Sequence, residues 1–85
     1  MEIQIDPHTI QRAKERGVSE SEIAETIQTG TEIAGKYGRR GRWKVFPFNS
    51  THNSKFYLEK KLEVYFITEH ERIITVTVYV FYGKF

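Results

Sequence analysis

Three side chains that can carry positive charge recur at four-residue spacing near the start of the chain: His8, Arg12 and Arg16. On a helix, this spacing places all three on one face. Like charges at this spacing repel one another, so the stripe does not help the helix to form. An anion from outside, most obviously a phosphate backbone, would offset that repulsion. The stripe therefore indicates an anion-binding face and makes phosphate chemistry the first hypothesis.

A second basic group lies in a glycine-rich segment that spans residues 35–42 and contains one aromatic residue, Tyr37. Five cations fall within nine residues that include no acid: Lys36, Arg39, Arg40, Arg42 and Lys44. A flexible, cationic loop with an aromatic ring suits contact with a nucleic-acid backbone or a stacked base. The alternative is a solvated hairpin tip. The segment is not a Walker-type phosphate loop, because it lacks that spacing and a following helix.

Two helices are predicted to carry the first half of the chain. Asp6 is a suitable N-cap for a helix over residues 7–16, Pro7 suits its first position, and Gly17 ends it. Ser19 and Glu22 then have the spacing of a capping box, with Val18 and Ile23 placed to close a hydrophobic staple. This second helix is predicted to end at Gly30.

The remaining chain alternates with a period of two, which predicts strands. Ile3 and Ile5 indicate a short first strand before the helices. We expect a strand around residues 43–48, with Pro47 indicating an edge position or a bulge. A polar turn is expected over 49–54, one long bent strand over 55–68, a turn over 69–72 and a last strand over 73–82.

The last strand is predicted to have two distinct faces. Its apolar row, suited to packing under the helices, consists of Ile74, Val76, Val78 and Val80. Its hydroxyl row consists of Thr75, Thr77 and Tyr79, which would form a polar floor shared with Tyr57, Glu59 and Tyr65. The fold class is therefore α+β: a short first strand, then two helices packed on one face of an antiparallel sheet.

Length and composition limit the classes of protein to which this chain can belong. The 85 residues suffice for one domain over 1–85, with a net charge of +2 and a pI near 9.0. There is no cysteine, which excludes disulfides, thiolate zinc sites and thiol catalysis. No apolar run reaches the length of a membrane span, and the first residues lack the layout of a signal peptide. We expect a soluble, cytoplasmic protein that has no contact with a membrane.

Several of these motifs together resemble a family of small, uncharacterised bacterial domains. They are His-x3-Arg-x3-Arg-Gly, Ser-x2-Glu-Ile, the basic glycine-rich loop, Tyr-x2-Lys-Lys and a closing Thr-Val-Thr-Val-Tyr-Val-Phe-Tyr-Gly-Lys. The similarity extends from about Ile5 to Lys84, and this family is placed near the RelE-like and BrnT-like toxin nucleases. The positions that fit its pattern are His8, Arg12, Arg16, Gly17, Gly30, Lys60, Lys61, Thr75, Thr77 and Tyr79.

This resemblance implies a RelE-like order of elements and a toxin-like ribonuclease that needs neither metal nor cofactor. In such enzymes the 2′-hydroxyl of the RNA attacks the adjacent phosphate, while basic and hydroxyl side chains serve as acid, base and charge stabiliser. An antitoxin, here expected to be an acidic protein, commonly neutralises them. RNA and that antitoxin are the expected partners.

Roles follow from that chemistry. His8 is the expected acid or base, because its ordinary pKa lies near neutrality. The alternative is that His8 hydrogen-bonds its own N-terminal loop. Arg12 and Arg16 are expected to grip phosphate, and the alternative pairs them with carboxylates such as Glu15, Glu20 or Glu59. Arg16, beside the helix end, would otherwise complement the helix dipole.

The strand residues leave more alternatives open. Lys60 interrupts an apolar row, so it either marks a bulge or points an ammonium into a polar cleft as a charge stabiliser. Lys61 is expected on the hydroxyl face, and each lysine has the alternative of a solvated side chain at a strand bend. Thr75, Thr77 and Tyr79 are either site residues or simply good strand formers. His52 and His70 lie in predicted turns, and no histidine pair has metal-ligand spacing.

Two rival functions remain at this stage. One is a non-catalytic module that binds RNA or an acidic protein through the same basic surface. The other is a structural domain that forms a homodimer through exposed strand edges and the aromatic tail over residues 82–85. The enzyme hypothesis depends on His8, the binding hypothesis on Arg39, Arg40 and Arg42, and the structural hypothesis on neither.

Overall fold

A computed structural model describes residues 2–35 and 37–85, and it shows an α+β fold in which two helices pack on a five-stranded sheet. The elements in chain order are β1 (Glu2–Gln4), α1 (Pro7–Glu15), α2 (Glu20–Thr29), β2 (Thr31–Ile33), β3 (Arg40–His52), β4 (Lys55–Glu69) and β5 (Arg72–Gly83). The predicted fold class is confirmed.

The sheet has the strand order β1-β5-β4-β3-β2. Its three hairpin-type pairs are antiparallel, while β1 pairs with β5 in parallel, which makes the sheet mixed. The sequence did not predict β2, because three residues are too few to show a two-residue period. The glycine-rich loop is shorter than the predicted segment over 35–42, because β3 already begins at Arg40.

Both helices start and end where their capping residues predict. Asp6 Oδ1 accepts a hydrogen bond from His8 N at 3.4 Å, and Gly17 follows α1 with a φ of +81°, a value that favours glycine. Ser19 and Glu22 form the capping box in both directions, with distances of 3.2 and 3.0 Å. The Ser19–Glu22 pair therefore fixes where α2 begins.

The prediction of a polar turn over 49–54 is wrong. Strand β3 continues to His52, and the connection to β4 consists only of Asn53 and Ser54, whose φ values are +51° and +67°. Positive φ at both central residues is typical of a tight two-residue hairpin turn. The register shift lies between Pro47 and Ser50, so Pro47 does mark a bulge.

A second bulge changes the faces of β5. Tyr65 lies opposite Thr77 and Phe66 lies opposite Thr75, so Val76 is left without a partner across the sheet. The extra residue turns Thr75 to the helix side, where it is 4% exposed. The prediction that Thr75 shares the hydroxyl row is therefore wrong. Ile73 replaces the expected Ile74 against the core for the same reason.

The hydrophobic core lies between the helices and one face of the sheet. Its buried members are Ala13, Val18, Ile23, Ile27, Phe46, Leu62, Val64, Phe66 and Val78. The opposite face of the sheet has no layer of helix on it in the part of the chain described here, and we refer to it as the open face. None of the described helices is long and apolar enough to cross a bilayer.

Candidate functional site

The predicted stripe lies beside β5. A cleft of about 180 Å³ separates α1 from β5 and is lined by Asp6, His8, Thr9, Arg12, Ala13, Arg16, Val76, Thr77, Val78 and Tyr79. We call it the α1–β5 cleft. The structure thus brings together five of the predicted site residues, namely His8, Arg12, Arg16, Thr77 and Tyr79. His8, Arg12 and Arg16 line the cleft from the helix, and Thr77 and Tyr79 line it from β5, where they pair with Tyr65 and Glu63 of β4.

His8 lies in the first turn of α1 and is exposed. Its backbone N–H donates to Asp6, while its ring has no hydrogen-bond partner among the described residues. The alternative in which the ring bonds its own N-terminal loop is therefore not the arrangement found. An imidazole that faces a cleft in this way is able to exchange a proton with a bound ligand.

The two arginines differ in how they are held. Arg16 Nη1 donates to the carbonyl oxygen of Val78 at 2.9 Å, and this contact ties the end of α1 to β5. Arg12 has no carboxylate within ion-pair distance in the described part of the chain, and neither does Arg16. Arg12 is therefore the guanidinium that a ligand in the cleft can engage directly.

Lys60 lies elsewhere, at neither a bulge nor the α1–β5 cleft. It is 6% exposed on the helix side of β4, where its Nζ donates to Gly17 O at 2.8 Å and to Glu22 Oε1 at 2.9 Å. Its backbone pairs regularly with Phe46 on one side and Tyr82 on the other. The Lys60 ammonium is buried and hydrogen-bonded to partners within the domain. The structure therefore does not support a role for Lys60 in stabilising charge on a ligand.

Glu22 is the carboxylate that balances Lys60. Burial by itself raises the pKa of Glu22, but hydrogen bonds from Lys60 Nζ and Ser19 N, together with the Lys60 charge, outweigh it and hold the pKa below 4.5. The carboxylate therefore serves two structures at once, the capping box of α2 and the buried ion pair.

Lys61 lies on the open face, as the sequence predicts. Its Nζ is 3.6 Å from Glu63 Oε2 and 4.9 Å from the centroid of the Trp43 ring. It does not line the α1–β5 cleft. Lys61 is thus placed to pack on Trp43 rather than to reach a phosphate held by Arg12.

Tyr82 is a structural residue that sequence reasoning assigned to an exposed tail. Its hydroxyl donates to Arg16 O, and its ring stacks on His52 with centroids 4.2 Å apart. Burial, and to a lesser degree the charge of Glu22, raises its pKa above 10.0. Nothing in the sequence pairs Tyr82 with Arg16, since 66 positions separate them. Their contact holds the C-terminal end of α1 against β5.

Three of the predicted RNA-binding cations are engaged within the domain. Arg40 pairs with Glu32, and Arg42 Nη1 donates to Ile27 O at 2.5 Å, at the C-terminal end of α2. Lys44 Nζ lies 3.1 Å from Glu25 Oε2 and 2.6 Å from Thr29 Oγ1. These three side chains follow the helix side of β3, away from the open face.

Glu32 joins two of these cations. Hydrogen bonding to Arg40 is the main cause that lowers the pKa of Glu32 below 4.5, and the charge of Arg40 acts in the same direction. Arg42 Nη2 lies 3.7 Å from the same carboxylate. The carboxylate offsets much of the positive charge that the sequence assigns to this part of the chain.

Tyr37 and Arg39 remain exposed on the loop between β2 and β3. Together with residues of the sheet they line a second cavity of about 380 Å³, formed by Ala34, Gly35, Tyr37, Arg39, Tyr65, Thr77 and Tyr79. We call it the open-face cavity. Thr77 and Tyr79 line both cavities, so the two are adjacent. Lys36, also predicted to bind RNA, lies outside the described residues.

A further groove of about 670 Å³ lies between α1 and α2 and is lined by Ile10, Ala13, Lys14, Gly17, Val18, Ser19, Glu20, Ser21, Glu22 and Ile23. It is larger than the α1–β5 cleft, but its lining has two carboxylates, Glu20 and Glu22, against one lysine, Lys14, and offers no arrangement for phosphate chemistry. We therefore regard the smaller α1–β5 cleft as the candidate site.

No protein-family model, curated protein or solved structure was found to match this chain. The functional argument therefore depends on the geometry of the chain itself. Among residues 2–35 and 37–85, no three His, Asp or Glu side chains lie together in a way that could hold a metal ion.

Proposed function

We propose that this protein is a metal-independent, toxin-like endoribonuclease. One observation supports the proposal above the others: the α1–β5 cleft collects His8, Arg12, Arg16, Thr77 and Tyr79 from a helix and a strand that are distant in sequence. Transesterification of RNA needs a base for the 2′-hydroxyl proton, an acid for the leaving oxygen and cations for the phosphate charge, and these side-chain types can supply all three.

The proposed reaction begins when the 2′-oxygen of a ribose attacks the adjacent phosphorus. His8 accepts the 2′-hydroxyl proton as general base. The bond between phosphorus and the 5′-oxygen breaks, and that oxygen takes a proton from the Tyr79 hydroxyl. The products are a 2′,3′-cyclic phosphate and a 5′-hydroxyl end, and solvent returns the proton from His8 to Tyr79.

Charge stabilisation comes from the helix. Arg12, which has no internal ion-pair partner in the described chain, is placed to bind the equatorial phosphate oxygens, where charge accumulates in the transition state. Arg16 is anchored by one nitrogen to Val78 O, which leaves its other nitrogens for the phosphate. This assignment replaces the lysine stabiliser that the sequence suggested.

The toxin-like interpretation includes a cytoplasmic setting and an acidic antitoxin that would cover the cleft. The charges support this partner chemistry, because the cleft contains two arginines and a histidine against one carboxylate, Asp6. An acidic segment bound there would compete with RNA for the same cations.

The test is cleavage of total RNA in the presence of EDTA by the wild-type protein, His8→Ala and His70→Ala. His70 is an exposed residue of the β4–β5 turn that does not line the cleft, and it serves as the matched control. We expect His8→Ala to lower the cleavage rate roughly 100-fold or more, and His70→Ala to cleave like the wild type. The cleaved ends should carry a 2′,3′-cyclic phosphate.

Equal cleavage by wild type and His8→Ala would remove His8 from the mechanism. Absence of cleavage by the wild type at high protein concentration would favour the second candidate, a non-catalytic RNA-binding module. The open-face cavity favours that candidate, since Tyr37 and Arg39 there are suited to binding and contribute no chemistry. A binding module should lose RNA affinity on Arg39→Gln and keep it on His8→Ala.

A further inference from the structure

The open-face cavity combines three phenol rings with one guanidinium group. Tyr37, Tyr65 and Tyr79 line it together with Arg39. The rings of Tyr65 and Tyr79 meet edge to face with centroids 6.0 Å apart. Tyr37 is 95% exposed and Tyr79 is 48% exposed, so much of this aromatic surface has no covering within the domain.

The aromatic rings of this surface are exposed to solvent, and a ligand stacked on them would bury them. Tyr37 has a φ of +57°, in the left-handed region that a bulky residue seldom adopts, and its ring gains little from burial. Exposed phenol rings beside a guanidinium are suited to ligands with a flat π face, because every nucleobase stacks on such rings. A volume of about 380 Å³ falls within the roughly 300–1,000 Å³ of ordinary ligand pockets.

The charges around the cavity fit an anionic strand. Arg39 provides the cation, whereas the next residue, Arg40, is paired with Glu32 on the other side of β3. A carboxylate beside the rings is Glu63, which accepts a hydrogen bond from the Tyr65 hydroxyl at 3.2 Å and lies 3.6 Å from Lys61 Nζ. Lys61 therefore offsets the negative charge of Glu63, which would repel a phosphate there.

We propose that the open-face cavity is a nucleobase-binding subsite, and that the substrate is single-stranded RNA. This inference rests on the proposed function and defines its substrate class. An unpaired base stacks between the tyrosine rings while Arg39 binds the backbone. Since Thr77 and Tyr79 also line the α1–β5 cleft, a phosphate of the same strand reaches Arg12. Base pairing would keep the base in its helical stack and out of the cavity.

Binding is tested with a fluorescein-labelled 2′-O-methyl RNA octamer, either alone or annealed to its complement, because this RNA lacks the attacking hydroxyl. We expect the single strand to bind the wild type at least tenfold more tightly than the duplex. Tyr65→Leu, which removes a stacking ring, should weaken binding of the single strand roughly tenfold. Tyr65→Phe keeps the ring and should bind like the wild type.

Phe81→Leu is the matched control. Phe81 is also an exposed aromatic residue of β5 on the open face, 44% exposed, but it does not line the cavity. Its replacement should leave RNA affinity unchanged. Thermal unfolding of each variant shows whether it folds, and Tyr37→Ala on the exposed loop repeats the test at a position where folding is not at risk.

Equal affinity for single strand and duplex, or loss of affinity in Phe81→Leu as large as in Tyr65→Leu and Tyr37→Ala, would overturn the subsite. These outcomes are independent of cleavage. If the octamer binds as expected and the wild type cuts no RNA, the subsite stands and the nuclease proposal fails. If the wild type cuts RNA without preference for single strands, the nuclease proposal stands and the subsite fails.

Discussion

Lys60 and Lys61 are adjacent in the sequence and have unrelated environments in the structure. Lys60 is buried against Glu22 and Gly17, whereas Lys61 lies over Trp43 on the open face. The pleat of a strand is sufficient to separate them, since successive side chains point to opposite faces. A lysine pair that fits a motif in sequence therefore provides two different functions, neither of them in the α1–β5 cleft.

The Lys60–Glu22 pair predicts how stability depends on pH. The folded-state pKa of Glu22 lies below its unfolded value near 4.5, so the carboxylate stabilises the fold above pH 4.5. That stabilisation is lost as the pH falls through the folded-state pKa. We expect the urea-unfolding free energy of the wild type to decline over this acidic range, and that of Glu22→Gln to decline less.

Lysine substitutions provide the control. Lys60→Met leaves the Glu22 carboxylate without its cation and should lower the free energy of unfolding at pH 7 by about 1–3 kcal/mol. The loss is smaller than for a fully buried ion pair because Glu22 is partly solvated. Lys61→Met removes a pair whose side chains are 27% and 22% exposed and whose atoms lie 3.6 Å apart, and it should cost less than about 1 kcal/mol. Equal losses in the two variants would contradict the assignment of Lys60 as the structural lysine.

At the scale of the elements, three hydrogen bonds from the sheet hold the C-terminal end of α1. Arg16 donates to Val78 O on β5, Tyr82 of β5 donates to Arg16 O, and Lys60 of β4 donates to Gly17 O. The helix that carries His8 and Arg12 is thus fixed to the strand that carries Thr77 and Tyr79. These contacts set the width of the cleft between them.

Two glycines with similar backbone angles test this anchoring. Gly17 has a φ of +81° and Gly38 a φ of +75°. A Cβ at Gly17 would lie 2.6 Å from the Tyr82 hydroxyl, while one at Gly38 would meet nothing within 4 Å. We expect Gly38→Ala to cost about 1 kcal/mol for the backbone alone, and Gly17→Ala about 2–3 kcal/mol because the Tyr82 hydrogen bond is also disturbed. Chemical denaturation measures both.

Equal losses in those two variants would show that Tyr82 does not hold the helix end. In that case Tyr82→Phe should also be neutral. If the anchoring is correct, Tyr82→Phe should cost about 1 kcal/mol and spare most of the stacking on His52.

At the scale of the whole molecule, a net charge of only +2 hides a division between two faces. The cations of β3 on the helix side are paired with acids of α2 and β2, as in the Arg40–Glu32 and Lys44–Glu25 pairs. Arg12 and Arg16 in the α1–β5 cleft and Arg39 at the open-face cavity have no ion-pair partner among the described residues. They define one path for an anionic strand.

The salt dependence of RNA binding reports how many phosphates these cations contact. Three phosphate contacts predict a slope of log K against log salt of roughly −2 for a single strand, and Arg39→Gln should reduce its magnitude by about 0.7. Arg40→Gln, one residue away but paired with Glu32, should leave the slope unchanged. A change of the slope in Arg40→Gln and not in Arg39→Gln would contradict this division of the surface.

Features that depend on local interactions follow directly from the amino-acid sequence. The two helices begin at Asp6 and Ser19 because these side chains cap backbone groups only two or three residues away. Strand β4 is one long strand because its apolar residues keep the same parity on both sides of Lys60. The helical spacing of His8, Arg12 and Arg16 similarly places them on one face, whatever lies opposite.

The partners that those residues contact depend on how the helices and strands pack in three dimensions. The bulge at Val76 moves Thr75 to the core, and the choice between solvent and Glu22 for Lys60 depends on where α2 lies over β4. The Tyr82–Arg16 contact joins positions 66 residues apart. Contacts of this kind depend on strand register and helix placement, which the whole core sets, so no local pattern in the sequence records them.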